Sequence, residues 1–408
     1  MKLPDRGRPW PELAAELQAA KARDYSWRQG RMAVYFYYLD AALEQVQKDA
    51  YLAYFTENNL GQGRAFPSLA KLEGEVVAMA LSLMAAPQGA GGTFTSGGSE
   101  SIFLAMLAAR EKAGRDRPNI VIPATAHLTF DRAAWYLGLE VRRVPVTADF
   151  EADVPAMAAA MDADTIALVG SAPNYPYGAI DPIAALGALA TQRGVWLHVD
   201  ACVGGFLSPF LTRLGHNLPA WDFSVPGVTS ISADIHKHGM AAKGASLLLV
   251  REEALRRFHR FESAAWDRGP YVAFTAQGTR PGGAVASAWA VMNYLGMEGY
   301  TEAARRIMDA KARMAAGVEA IPGLEVLRPS PHAIFIYRPT DPALEMGRIA
   351  AAMDRRGWLQ GQMAGGRGMH HHLNPLHAQV ADAYLADLRQ AVAEARAGGD
   401  SQAVGRVY

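Results

Sequence analysis

The chain has 408 residues, enough for one large α/β unit with a smaller companion, and half of them are apolar, the ordinary share for a globular enzyme. Basic and acidic side chains balance at 40 each, so no surplus of positive charge argues for nucleic acid or an anionic membrane as partner. A single cysteine, Cys202, excludes an internal disulfide, argues against a cysteine zinc site and fits a reducing, cytoplasmic setting.

The first 24 residues are charged and punctuated by proline, with no apolar stretch of the kind a secretory signal needs. Residues 11–23 predict an amphipathic helix, and 35–56 and 68–85 also carry helical spacing. The apolar run at 76–86 is about half the length needed to span a bilayer, so the chain reads as soluble. GAGGTFTSGGSE (89–100) is the most glycine-dense loop and leads into an apolar-faced helix ending at Gly114. Strands are expected at 119–124, 165–173, 195–200, 229–234 and 245–250, with helices at 127–138 and 181–194. This alternation indicates a mainly parallel sheet covered by helices, where ligands gather at the C-terminal ends of the strands. A long helical pattern follows from 284 to 320. Short strands (324–330, 333–339, 369–375) then alternate with helices (343–357, 378–397). The expected organisation is an N-terminal helical segment 1–60, a large domain 61–295 and a small α+β domain 296–408.

Three features carry chemistry. TSGGSE (95–100) opens a helix, and free amides at a helix N-terminus make a phosphate cradle, although a plain capped turn has the same look. Asp200, at the end of the apolar strand in HVDACVGGF, faces the crevice. Beside a ring nitrogen it would keep that nitrogen protonated, so that the ring draws electrons; a structural carboxylate is the alternative. SISADIHKHGMAAKG (230–244) brings two lysines, Lys237 and Lys243, next to apolar segments, and a lysine amine can form an imine with an aldehyde cofactor. Glycine loop, strand-end aspartate and His-Lys 37 residues later match the layout of pyridoxal-phosphate enzymes of the aspartate-aminotransferase (type I) fold.

With TSGGSESI (95–102), GSAPNYPYGAIDPI (170–183), HVDACVGGFLSPF (198–210), SISADIHKHGMAAKG (230–244) and GTRPGG (278–283), the sequence resembles the sphingosine-1-phosphate lyase family, within the pyridoxal-phosphate-dependent (group II) decarboxylases. GRMAVYFYY (30–38) and FPSLAKLEGEVVAM (66–79) follow the family more loosely, and the resemblance covers roughly residues 25 to 395. It implies pyridoxal 5′-phosphate as cofactor and Lys237 as the imine lysine. His236 and Gly97, Gly98 and Ser99 would meet the cofactor phosphate, with His127 on the ring face, Asp200 at the ring nitrogen, and Asn174 and Cys202 nearby. Cys202 reads equally well as a small packing residue. The catalytic set would be Lys237, Lys243, His127, Asp200 and Tyr35, with Lys243 on the substrate side. The resemblance also implies a homodimer whose Gly278, Thr279 and Arg280 complete the partner's site.

The implied activity is cleavage of a carbon–carbon bond in a β-hydroxy amine. Decarboxylation of an amino acid is the runner-up, and a non-catalytic homologue is disfavoured by the intact Lys237, Asp200 and His127. The histidine run 370–372 with His377 lacks carboxylate or cysteine at ligand spacing, so no metal is expected. One departure stands out. Where the family carries Asn-Pro-Leu-His-Pro-Asp, this chain has NNLGQGRAFPS (58–68), without the histidine that grips the substrate phosphate; Phe274 likewise replaces a family proline. Arg64 is expected to compensate, holding a small anionic substrate together with Lys243. A long lipid tail is not expected, because no membrane anchor is evident.

Overall fold

The computed structural model describes residues 2–327 and 330–398. Residues 328 and 329 of the strand expected at 324–330, and residues 399–408 of the domain expected at 296–408, therefore fall outside the described residues. Seven strands form the main sheet: β1 (Gly91–Thr95), β2 (Asn119–Pro123), β3 (Glu140–Val144), β4 (Thr165–Ser171), β5 (Trp196–Asp200), β6 (Ser230–Ala233) and β7 (Ser246–Val250). Their order is β1-β7-β6-β5-β4-β2-β3, with β3, β2, β4, β5 and β6 mutually parallel and only β7 antiparallel to its neighbours. β2, β4, β5, β6 and β7 are buried along their whole length, which is why they read as continuous apolar runs. Two strands were not expected. β3 (EVRRV) is a partly exposed edge strand, and β1 (GGTFT) hides inside a glycine-rich stretch.

The helix Gly282–Glu319 joins the two halves of the molecule. It is interrupted at Gly296, whose φ of 54° and ψ of −168° are not helical. Before the break, Val285, Ala288 and Met292 pack with the core of the main sheet. Beyond it, Tyr300, Ala304, Ile307 and Met314 pack with a second core. That second core covers a four-stranded antiparallel sheet in the order β10-β11-β13-β12, made of β10 (Leu324–Val326), β11 (Ile334–Pro339), β12 (Gly361–Gln362) and β13 (Met369–His372). A separate hairpin, β8 (Phe261–Ser263) and β9 (Tyr271–Ala273), projects from the large half.

The N-terminal segment pairs with distant parts of the chain at Met32 and Asn58. Residues 31–39 are not helical. Met32 bridges Leu359, the Ala33 N–H donates to the Leu359 carbonyl at 2.9 Å, and the Ala33 carbonyl accepts from the His372 N–H at 2.8 Å. The helix expected over 35–56 therefore begins only at Ala41, where Asp40 caps it by accepting from the Leu43 N–H at 2.9 Å. Among the described residues, no helix is long and apolar enough to cross a membrane.

Candidate active site

The C-terminal ends of β2, β4, β5 and β6, with the turn after β1, converge on a cavity of about 450 Å³. One wall is Ser96, Gly97, Gly98 and Ser99, where β1 enters the helix Gly98–Ala113. Glu100 braces this turn from behind, accepting from the Ser96 N–H at 2.7 Å and its hydroxyl at 2.8 Å. The amides of a first helical turn have no partner inside the helix, so this wall offers donors and partial positive charge to an anion. Gly98 is needed for closeness: a Cβ there would lie 2.7 Å from Cys202 Sγ and 2.9 Å from both carboxylate oxygens of Asp234.

The floor carries the charges. Asp200 ends β5 and accepts from the Cys202 N–H at 3.1 Å and the Ser232 hydroxyl at 3.3 Å. Burial, reinforced by Asp200, pushes the Cys202 thiol well up, so it stays protonated and acts as packing beneath the glycine turn. Lys237 Nζ lies 3.0 Å from Asp234 Oδ2. Burial alone would lower the Lys237 pKa, but Asp234, together with Cys202, Tyr37 and Asp200, holds it well above the ordinary range. Burial opposes charge on Asp234 in turn, yet Lys237 and His236 keep that carboxyl below its usual value. Asp234 Oδ1 and His236 Nδ1 remain buried without a hydrogen-bond partner. Orphaned polar atoms are costly, and two of them bordering the same cavity fit a polar ligand lodged between the glycine turn and Lys237.

Lys243 is a different lysine. Its Nζ donates to the His236 carbonyl at 3.1 Å and lies 4.9 Å from the centroid of the Tyr37 ring. Burial, followed by repulsion from Lys237, lowers its pKa to about 8. His127 Nδ1 accepts from the Thr129 N–H at 3.2 Å and pairs with the Thr129 hydroxyl at 2.8 Å. The proton of the neutral ring therefore sits on Nε2, and burial lowers the ring's pKa so that it stays neutral.

The fold thus assembles Gly97, Gly98, Ser99, His127, Asp200, Cys202, His236, Lys237, Lys243 and Tyr35 around one cavity. Asn174 stands apart from these residues. It does not line the cavity, because its side-chain amide donates to the Phe150 carbonyl at 3.0 Å and its carbonyl accepts from the Tyr177 N–H at 3.0 Å. It shapes the loop that carries Pro173 and Tyr175 instead. Gly278, Thr279 and Arg280 do not line this cavity; Arg280 Nη2 donates to both Glu73 oxygens at 3.0 and 3.1 Å, while its Nε and Nη1 are buried without a hydrogen-bond partner. Arg64 is exposed and does not meet Lys243. Of the lining residues that were missed, Asp234, Tyr37 and Tyr175 bring titratable or aromatic groups to the cavity. Asp234 was visible as the polar residue closing a strand three before Lys237, and Tyr37 shares a side with Tyr35 in an extended chain; Tyr175 had no signal of its own. The histidine run lies on β13 and alternates. His370 and His372 face Tyr175, while His371 stacks on Phe335 in the opposite layer. Among the described residues, no three histidine, cysteine or acidic side chains are grouped to hold a metal.

Residues 50–334 match the pyridoxal-dependent decarboxylase conserved domain. The chain is 37% identical to sphingosine-1-phosphate lyase of Oryza sativa subsp. japonica over 93% of its own length and 72% of the relative's. The chain is a sphingosine-1-phosphate lyase-like member of the pyridoxal-dependent decarboxylase family. The solved structure of a Burkholderia pseudomallei sphingosine-1-phosphate lyase superposes with a TM-score of 0.91 at 37% identity, covering 98% of this chain and 94% of that one. A probable L-tyrosine/L-aspartate decarboxylase of Methanothermobacter thermautotrophicus is 34% identical over 74% of the chain and 82% of the relative. This family member is a lyase that uses pyridoxal 5′-phosphate, and the donor-rich glycine turn, the buried Asp200 and the cavity-facing Lys237 fit that group.

Proposed function

We propose that the cavity cleaves a carbon–carbon bond in a small β-hydroxy amine with an anionic end group, releasing an aldehyde. The observation that carries this reading is the joint presence of Lys237, Asp200, His127 and Lys243 on one cavity. Pyridoxal 5′-phosphate, when bound, supplies an aldehyde for amines and an electron-accepting ring. Lys237 would hold that aldehyde, and the amides of Gly97 to Ser99 with His236 would hold the phosphate. Asp200 would keep a proton on the ring nitrogen. His127, neutral with its proton on Nε2, would lie against the ring face. Lys243 Nζ, with its pKa lowered to about 8 by burial and Lys237, is able to give or take a proton near neutral pH, and Tyr35 at the mouth would share that task.

We further infer a cytoplasmic homodimer with shared sites. Asn59 ties the departing loop 58–64 to the segment 278–280. Its amide donates to the Gly278 carbonyl at 3.0 Å, and its oxygen accepts from the Arg280 N–H at 2.6 Å. The two segments would enter the partner's cavity as one piece, and only by that route would Arg64 read an anion. Decarboxylation of an amino acid is the second reading, favoured by the 34% identity to the probable decarboxylase.

The test is a panel of phosphorylated amino alcohols, acidic amino acids and neutral amines offered to the cofactor-loaded protein. Aldehyde is trapped with a hydrazine, and carbon dioxide is measured in parallel. Aldehyde from an anionic amino alcohol is the expected result. Carbon dioxide without aldehyde would replace it with the decarboxylase reading, and neither product would remove both.

A further inference from the structure

A chain of polar rings leads from the cavity into the interior. Tyr37 lines the cavity, and its hydroxyl is 3.1 Å from His372 Nδ1. His372 Nε2 is in turn 2.8 Å from His238 Nε2. The two histidines are only 5% and 2% exposed. His238 directly follows Lys237, whereas His372 belongs to β13, so the contact joins the large half to the small sheet. Both histidine rings meet the Tyr37 ring nearly edge-on, with centroids 5.1 and 5.2 Å away, and the Lys243 ammonium lies against it at 4.9 Å. The phenol ring is held from three sides.

The histidine pair determines where the protons go. Two facing ring nitrogens at 2.8 Å need one bare nitrogen and one N–H between them. If His372 Nε2 carried the proton, neutral His238 would carry its own on Nδ1. That atom is buried with no hydrogen-bond partner, and an orphaned buried N–H is the costlier defect. If His238 Nε2 carries it instead, His238 Nδ1 is only an unused lone pair. His372 then has its proton on Nδ1 and donates to the Tyr37 oxygen. Doubly protonated rings are disfavoured, because burial lowers both histidines, His238 to about 3. The phenol oxygen therefore accepts from the interior, and the phenol's own proton is directed to the cavity side.

We propose that Tyr37 is a further catalytic residue, a fixed hydrogen-bond donor to an acceptor oxygen of the substrate, and that His372 and His238 are positioning residues that set its direction. This rests on the lyase reading of the cavity. It assigns Tyr37 to polarising an oxygen and not to taking a proton from a substrate hydroxyl, since the phenol oxygen is already engaged from behind.

Two measurements on the cofactor-loaded enzyme test it. The first is ¹⁵N spectroscopy of histidine-labelled protein, with assignments from His372→Asn and His238→Phe. The expected pattern is His372 protonated on Nδ1 and His238 on Nε2, and the reverse would overturn the proposal. The second is kinetic, on the panel compound that the parent cleaves fastest. Tyr37→Phe keeps the ring and loses only the hydroxyl, so kcat should fall roughly a hundredfold with KM little changed. His372→Leu should copy that loss. His372→Asn, which keeps an amide N–H near the Nδ1 position, should retain most of the activity. Full activity in Tyr37→Phe, or equal losses in the Leu and Asn variants, would overturn the catalytic or the positioning claim respectively. If the parent cleaves nothing, the lyase reading falls and takes the catalytic role with it. Reversed proton positions in an active parent would defeat this proposal alone.

Discussion

Two lysines six residues apart are separated by one carboxylate. Asp234 lies 3.0 Å from Lys237, and among the described residues no ion pair holds Lys243, which sits instead over an aromatic ring and against a carbonyl. The same burial therefore leaves one ammonium strongly favoured and brings the other down to about 8. Lys237→Ala should abolish the visible imine absorbance of the cofactor-loaded protein. Lys243→Ala should keep that absorbance while turnover falls roughly a hundredfold, the ordinary contribution of a positioned acid–base group. Absorbance retained in the Lys237 variant would reassign the imine to another amine.

Elements set how closely groups approach. The turn between β1 and the helix Gly98–Ala113 packs its backbone onto Cys202 and Asp234, with no room for a methyl group at Gly98. Gly98→Ala should weaken cofactor affinity about tenfold or more by pushing the amide wall outward, as read by equilibrium titration of the cofactor. In the small half, Lys311 of the helix Gly282–Glu319 is 6% exposed, and its ammonium donates to the carbonyls of Ser330 and His332. Burial lowers its pKa from 10.5 to about 8. Below pH 8 the lysine is charged in both folded and unfolded chains, and the burial penalty is present in full. Between about 8 and 10.5 the unfolded chain holds more protons, so stability rises with pH across that window. The gain is on the order of 3 kcal/mol at most. Lys311→Met should be less stable throughout, having lost its hydrogen bonds, but it should lose that slope. Urea midpoints at pH 7.5 and pH 10 for parent and variant check it, and an unchanged slope would mean that Lys311 is not the group responsible.

On the scale of the whole molecule, the surface around the loop 58–64 is unusually apolar. Leu52, Phe55 and Leu60 are 64%, 70% and 60% exposed, and the hairpin β8–β9 adds Phe261 and Trp266 at 60% and 55%. Large apolar side chains exposed to this degree mark an interaction surface. It lies beside the segment 278–280, which is tied to Asn59 and does not line the chain's own cavity. Both features are explained if a second copy covers the surface and receives the segment. A Phe55→Asp, Leu60→Asp double variant should then sediment as a monomer and bind the cofactor at least about tenfold more weakly. A monomeric variant with unchanged cofactor affinity would separate dimerisation from completion of the site.

The buried strands β2, β4, β5, β6 and β7 were legible because each is a short apolar run bounded by polar turns, and a strand's last residue announces itself when it is Asp200 or the stretch before Lys237. The family motifs likewise reached Gly97, Gly98, His127 and His236 without coordinates. Local pattern failed where pairing comes from far along the chain. Residues 35–39 have helical spacing but continue a segment that Met32 and Ala33 hold extended by pairing with Leu359 and His372, more than 300 positions away. The edge strand β3 and the glycine strand β1 exist through their neighbours. Asn174 sits in a family motif, yet its amide is consumed by Phe150 and Tyr177. The histidine run read as an ordinary strand, and only the meeting of β13 with the segment after β6 places His372 against His238 and Tyr37. Residue types and their periodicity set which groups end up at strand tips. Which of those groups share a proton or a charge depends on distances of about 3 Å between segments remote in sequence, and these distances exist only once both cores have packed.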